Sequence, residues 1–534
     1  MNVPCRVINR LRREYNLFAN RAVIRKLEKE IAREKIIKSD GPVIVFNAST
    51  RLSGLSQNAG FSLVTSLALR AAGIPVIHFV CRQGMSLCVL GTDQDQPGNP
   101  PPCAECTRTS YMVFSGADMV EFSYQRDDTV ARQILNLPLD ALLAYRADEM
   151  PVGEMILPSL RWILRRHHLE DDETTRIIAR EYILSACSLA KEIRKLMESQ
   201  HPRAVVVFNG MFYPEAVIKR IAKDQGIPVY SHEVGMLPYT AFFTVGEATA
   251  YPVEVKDEFQ LTKDQDDRLD RYLAERMEGN FITAGIRFWP EIKKLDESFL
   301  EKASAFKHIV PIFTNVIFDT SQGHANVIFA HMFEWLDSIL PEMKQNRDTL
   351  FVIRAHPDEL REGKESRETV AAWVADRSVE ALPNVRFISS DQFISSYDLI
   401  NRSKFVMVYN STIGLEASIM GKPVLCAGKA RYTSIPTVFA PQSKTKYRQV
   451  LRDFLGTDQV DHPPEFQRNA RRMLYRQLFC ASLPFRDYLA EDGVWRGYIR
   501  LRNFPLERLQ PENSETIRIL LAGILENKAF IMEE

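Results

Sequence analysis

Residues 405–425, FVMVYNSTIGLEASIMGKPVL, constrain this chain more than any other segment. Phe405–Tyr409 is an apolar, β-branched and aromatic run, the composition of a strand buried on both faces of a parallel sheet. Asn410, Ser411 and Thr412 supply an N-cap and small hydroxyls where a helix begins. That helix carries Ile413, Leu415, Ala417, Ile419 and Met420, stops at Gly421, and leads past Pro423 into another strand. A helix that starts at the carboxyl end of a parallel strand turns free N–H groups and the positive end of its dipole toward an anion. With the hydroxyls of Ser411 and Thr412 added, the segment is equipped to hold a phosphate.

A second segment of the same kind lies upstream. Leu350–His356 (LFVIRAH) is a buried strand that ends in Arg354, a forked donor, and His356, a switchable one. Pro357 blocks continuation of the strand and turns His356 to the sheet's carboxyl edge, where open α/β sheets bind ligands. A loop residue before a helix start would read the same way.

At 534 residues the chain exceeds one ordinary core and calls for two large domains. The 68 basic and 68 acidic residues cancel, which removes any global argument for nucleic acid as a partner. No run approaches the ~20 apolar residues of a membrane span, so a cytoplasmic protein is expected, with docking on the inner membrane's cytoplasmic face as an option. That option rests on residues 1–40, read as basic helices with Val7, Leu11, Val23, Leu27 and Ile31 on an apolar side. A solvated helix packed on its domain is the alternative.

Four of the eight cysteines cluster: Cys81, Cys88, Cys103 and Cys106. A structural tetrathiolate zinc site and a set of buried free thiols fit this spacing equally.

Pro42–Phe46, a loop over Arg51–Gln57, a helix through Arg70 and the strand Ile74–Val80 form a βαβ unit. Helices follow over about 127–200, then the strand Ala204–Phe208, a helix over Pro214–Asp224 and the strand Ile227–Tyr230, closed by Ser231–Gly235. These place an N-terminal Rossmann-like domain at 41–265, a linker at 266–305, a second Rossmann-like domain at 306–460 and helices at 461–534. Four strands end in Asn with small residues around it (VFNAST, VFNGMF, IFTN, VYNST), as turn chemistry or a shared cleft would require.

With these segments placed, the chain resembles bacterial capsule polysaccharide biosynthesis proteins, a group related to surface-polysaccharide glycosyltransferases of GT-B architecture. The likeness is carried by residues 314–340, by FVIRAHPDE (351–359) and by residues 394–432, with a weaker contribution from SHEVG. It implies an α/β fold of two Rossmann-like domains facing a central cleft. It also implies a nucleotide-sugar donor on the C-terminal domain, and a polysaccharide or lipid-linked glycan acceptor opposite. On this resemblance His356-Pro357 and Ser411-Thr412 engage the donor phosphate, beside Arg354 and Asn410, and Glu416 reaches ribose or base. Lys422 and Lys429 are further phosphate contacts or plain surface lysines.

A leaving nucleotide develops negative charge, which a helix N-terminus, hydroxyls, Arg354 and a protonated His356 would meet without a metal. The acceptor needs a base. Glu233 is the first candidate because it follows a buried strand; His232 and Asp319 are the others. Competing activities are a nucleotide-sugar 2-epimerase, a polyol-phosphate transferase and a non-catalytic nucleotide-sugar-binding subunit of a capsule assembly complex.

Overall fold

The computed structural model describes residues 3–34, 41–48, 54–114, 116–278, 293–495 and 497–533. Residues 51–53 of the expected loop, residues 35–40 of the expected N-terminal helices and residues 279–292 of the expected linker lie outside them.

Two parallel sheets organise the chain. The N-terminal sheet runs, in spatial order, through Leu483–Pro484, Thr240–Val245, Val229–Val234, Ala204–Phe208, Val43–Asn47, Val76–Cys81 and Asp118–Phe122. Its five central and far strands are parallel, and the other two are antiparallel at one edge. The chain winds outward from Val43–Asn47, then returns to its other side with Ala204–Phe208. The topological switch point therefore lies between those two strands, and the strand ends beside it form a crevice. Val43–Phe46 and Ala204–Val207 are fully buried, because helices cover both faces of the sheet.

The C-terminal sheet is parallel throughout, in the order Val385–Ile388, Thr349–Arg354, His308–Phe313, Val406–Val408 and Val424–Cys426. It winds in the same manner, with its switch point between His308–Phe313 and Val406–Val408. Thr314, Arg354 and the turn after Val408 thus share one carboxyl edge. Two doubly wound sheets with crossover helices make the expected two-domain Rossmann-like architecture.

Three features differ from the sequence reading. The basic N-terminal region is one helix, Val3–Glu34, rather than several. The segment after residue 460 is not wholly helical. It crosses back to the N-terminal domain, adds Leu483–Pro484 to that sheet, and pairs Tyr498–Leu501 with Leu55–Ser56 and Leu489–Glu491. Gly60 permits this return: a Cβ there would meet Ile499 at 2.9 Å. Finally, the expected linker holds two helices, Lys263–Met277 and Glu297–Ser304.

Candidate functional site

Most of the residues expected to meet a donor line one cleft of about 410 Å³ at the carboxyl edge of the C-terminal sheet. Arg354, His356 and Pro357 line it from one strand end, Ser411, Thr412 and Glu416 from the next. Asn410 stands just outside the lining. Its side-chain oxygen accepts from Gln322 (3.2 Å) and its backbone N–H donates to Asn315 (3.4 Å), so it shapes the turn.

Of the arginines that line the cleft, Arg354 is the one buried at a strand end. Only 5% of it is exposed, yet no carboxylate pairs with it among the described residues. One Nη donates to the Ser389 carbonyl at 3.1 Å, while Nε is buried without a partner. Burial alone pulls its guanidinium down to about 10. A buried, uncompensated guanidinium is costly unless an anion completes it.

Around it stand donors that the fold leaves open. The hydroxyls of Ser411 and Thr412, both half-buried, make no hydrogen bond among the described residues. Their turn is fixed from behind, where the Tyr432 hydroxyl donates to the Ser411 carbonyl at 2.7 Å. Gly414 allows that approach, since a Cβ there would collide with the same hydroxyl. The helix expected after Thr412 spans only Ile413–Ile419, so the hydroxyls carry more of the site than its dipole does.

His356 corrects an expectation. Its Nδ1 accepts the Asp358 backbone N–H at 3.1 Å, which leaves Nε2 as the proton-bearing nitrogen. Burial also lowers its pKa, against the opposing pull of Asp358. The ring is a neutral Nε2–H donor, not the protonated one anticipated. Glu359, which sequence reading passed over, holds this turn in place. Its carboxylate is 1% exposed and accepts from the Val370 N–H (3.1 Å) and the Ser390 hydroxyl (2.9 Å). Burial raises its pKa to about 7.

Glu416 is a second correction. Arg276 donates to one oxygen at 2.6 Å and Tyr397 to the other at 2.7 Å. With both oxygens engaged and 2% of the residue exposed, Glu416 anchors Arg276 at the cleft and is not presented to a ribose. Lys422 is also turned away, donating to the carbonyls of Asn401 and Ser403. Lys429 is exposed.

Among the described residues the lining of that cleft lies between Arg276 and Arg431, and the first candidate base stands outside it, in the N-terminal sheet. Glu233, at a strand end beside the switch point, accepts from Asn58 (3.1 Å) and the Val234 N–H (2.9 Å) on one oxygen and from Asn209 (3.1 Å) on the other. Desolvation raises its pKa, those three donors lower it, and the charge of Asp319 raises it again. Asn209 reaches it from a left-handed turn, φ +61°, which asparagine tolerates.

His232 is wholly buried, and burial lowers its pKa to about 3. Its Nδ1 donates to Asn58 (3.3 Å) and its Nε2 accepts from Ser62 (2.9 Å). A ring with no accessible surface does not meet an acceptor; His232 orients Asn58, which orients Glu233. Asp319 takes both the N–H and the hydroxyl of Ser321 on one oxygen, at 2.9 and 2.6 Å. Lys364 is a residue the sequence gave no signal for. Desolvation, then Arg361, lowers its pKa, while Asp319, Glu233 and Asp358 raise it, and its ammonium lies 5.6 Å from the Trp162 ring of the other domain.

The four cysteines gather around one cavity of about 20 Å³. Cys81 and Cys88 each accept a backbone N–H three residues on, from Gly84 and Gly91, and burial pushes the Cys88 thiol up to about 12. Among the described residues, however, no group of three or more His, Cys, Asp or Glu is placed to hold a metal ion. The thiols are thus neighbours around one small cavity.

Residues 292–446 match the family described as capsule polysaccharide biosynthesis protein. The match covers less than a third of the chain. That segment contains Asp319, Arg354, His356, Ser411, Thr412 and Glu416, and excludes Glu233 and its amide partners. No curated protein matches the chain. Among solved structures, a beta Kdo 2,4 transferase, KpsC of Thermosulfurimonas dismutans, is 12% identical over 58% of this chain and 87% of that one, with a TM-score of 0.35. The beta Kdo 2,7 transferase of the same KpsC is 16% identical over 58% and 85%, with a TM-score of 0.33. A UDP-GlcNAc 2-epimerase from Neisseria meningitidis is 12% identical over 81% and 98%, with a TM-score of 0.24.

Proposed function

We propose that the protein is a glycosyltransferase of capsule synthesis, moving a sugar from a nucleotide-activated donor to a glycan acceptor. The observation that carries the donor half is Arg354: among the described residues it is a buried cation with an unpartnered Nε and no carboxylate paired with it, in a cleft bordered by hydroxyls that make no hydrogen bond. A nucleotide's phosphate supplies the missing anion, and Ser411, Thr412 and the Nε2–H of His356 donate to its other oxygens.

Glu233 is the base in this reading. It takes the proton of the acceptor hydroxyl as the acceptor oxygen bonds to the anomeric carbon. The bond from that carbon to the phosphate oxygen breaks, and the nucleotide leaves with the electron pair. The developing charge falls on Arg354 and the hydroxyls. Desolvation favours this role, because a carboxylate with a raised pKa is a stronger base. Asn58, Asn209 and the Val234 N–H fix its direction, and the oxygen that accepts only from Asn209 retains an acceptor position for the substrate. Since the chain's own groups meet the leaving charge, turnover is expected to survive EDTA.

The test is a thermal-shift screen of CMP, CDP, UDP and GDP on the wild type, His356→Ala and Ser411→Ala. A ligand bound to the native state raises its melting temperature by mass action. One nucleotide should stabilise the wild type and do so less in both variants. No response from the wild type, or equal responses from all three, would overturn the donor site. Sugar transfer that requires an acceptor separates this reading from an epimerase, which interconverts donors alone, and from a binding subunit, which does neither.

A further inference from the structure

The N-terminal helix Val3–Glu34 has a face that the protein does not cover. Asn16, Leu17, Asn20, Ile24 and Leu27 are buried against the domain. On the opposite side Val7, Ile8, Leu11, Tyr15 and Phe18 stand 53%, 54%, 67%, 68% and 71% exposed. At the helical 100° per residue these five fall within an arc of about 100°. Large apolar side chains singly exposed are ordinary, but a continuous stripe of five marks an interaction surface.

The same arc continues toward the helix's carboxyl end with a different chemistry. Arg25, Lys26, Lys29 and Arg33 occupy it, all exposed. With Phe18 and Arg21 they line a shallow concavity of about 500 Å³, with Glu30 at its edge. Lys26 touches Asn503 at 3.4 Å; the nearby Glu14 is held by Arg108 and Glu28 by Arg70. One face of one helix therefore presents about three turns of apolar side chains followed by about two turns of cations.

We infer that this helix docks the protein on an anionic lipid surface, with Leu11, Tyr15 and Phe18 entering the acyl boundary and Arg25, Lys26, Lys29 and Arg33 at the headgroups. A helix lying in the interface needs apolar area on one side and cations that reach the phosphates, and here the two lie on the same arc. Charge also disfavours a second copy of this chain as the occupant. Parallel pairing would oppose the four cations, and antiparallel pairing would bury only the apolar turns. Among the described residues no helix is long and apolar enough to cross a membrane, so the contact is peripheral. This inference stands apart from the donor site.

The experiment is flotation of the full chain with vesicles of phosphatidylcholine alone and with 30% phosphatidylglycerol. The chain should float with the anionic vesicles at low salt and dissociate as salt rises. Arg25→Glu with Lys29→Glu should reduce binding at least tenfold, from about fivefold per removed cation. Leu11→Ser with Phe18→Ser should abolish what remains at high salt. All four positions are exposed, so melting temperatures should not change. Failure of the wild type to float, or floating unaffected by both double variants, would overturn the inference. So would a dimer in light scattering that Leu11→Ser with Phe18→Ser dissolves.

Discussion

The two halves of the candidate site, one lining the C-terminal cleft and the other set in the N-terminal sheet, are built on opposite principles. In the C-terminal half the polar groups are left incomplete: among the described residues Arg354 lacks an anion and a partner for Nε, and Ser411 and Thr412 lack acceptors. In the N-terminal half the key group is over-determined, with Glu233 gripped by two asparagine amides and a backbone N–H, and one asparagine itself set by a buried histidine. An incomplete half is suited to receive charge, and a completed one to hold a single group in one direction. On the proposed function, the first half is the binding side and the second the reacting side.

Four substitutions probe that division. The largest effect should come from the reacting side. Glu233→Gln keeps the shape but removes the base, and kcat should fall about 10²- to 10⁴-fold with donor affinity unchanged. A matching loss of donor affinity would merge the two halves.

Next comes Glu359, which holds the His356 turn on the binding side. Its pKa is raised from the ordinary 4.5 to about 7, so the folded chain binds the proton that the unfolded chain has released between those values. Stability from this group is therefore full below about pH 4.5 and is lost as pH rises toward 7, by about 3 kcal/mol. Urea titrations at pH 5 and 7.5 should show that loss in the wild type and less of it in Glu359→Gln. Ser411→Ala should cost about five- to tenfold in donor affinity, the weight of one hydrogen bond, with little change in kcat at saturation. The smallest change is expected from Asn58→Ala. Removing one donor from Glu233 raises its pKa, so the acid limb of the pH–rate profile should shift upward while kcat falls several-fold.

Legibility in the sequence followed the same divide. The binding half could be read because strand ends in a parallel sheet pass abruptly from apolar runs to polar residues. LFVIRAH and FVMVYNST show that transition directly, and Arg354, His356, Ser411 and Thr412 do share one cleft. What that reading missed was pairing at long range. Glu416 sits one helical turn inside the site, but Arg276, 140 residues earlier, and Tyr397 occupy its oxygens. The neutral state of His356 depends on a backbone N–H, and no residue type announces that. Asn58 lies 175 residues from Glu233 at the start of another helix, and strand-end patterns do not predict that meeting. The strand Asp118–Phe122 escaped because it sits at a sheet edge and is only partly buried. Strands past residue 480 escaped because the chain leaves one domain to complete the other.

The division between the halves is tested most directly by isothermal titration of the stabilising nucleotide into the wild type, Arg354→Met and Glu233→Gln. Arg354→Met keeps the stem of the side chain and removes the cation, so nucleotide affinity should drop about 10- to 100-fold, while Glu233→Gln binds as the wild type does. Undiminished affinity in Arg354→Met, or equal losses in both variants, would contradict the assignment of donor binding to the C-terminal half.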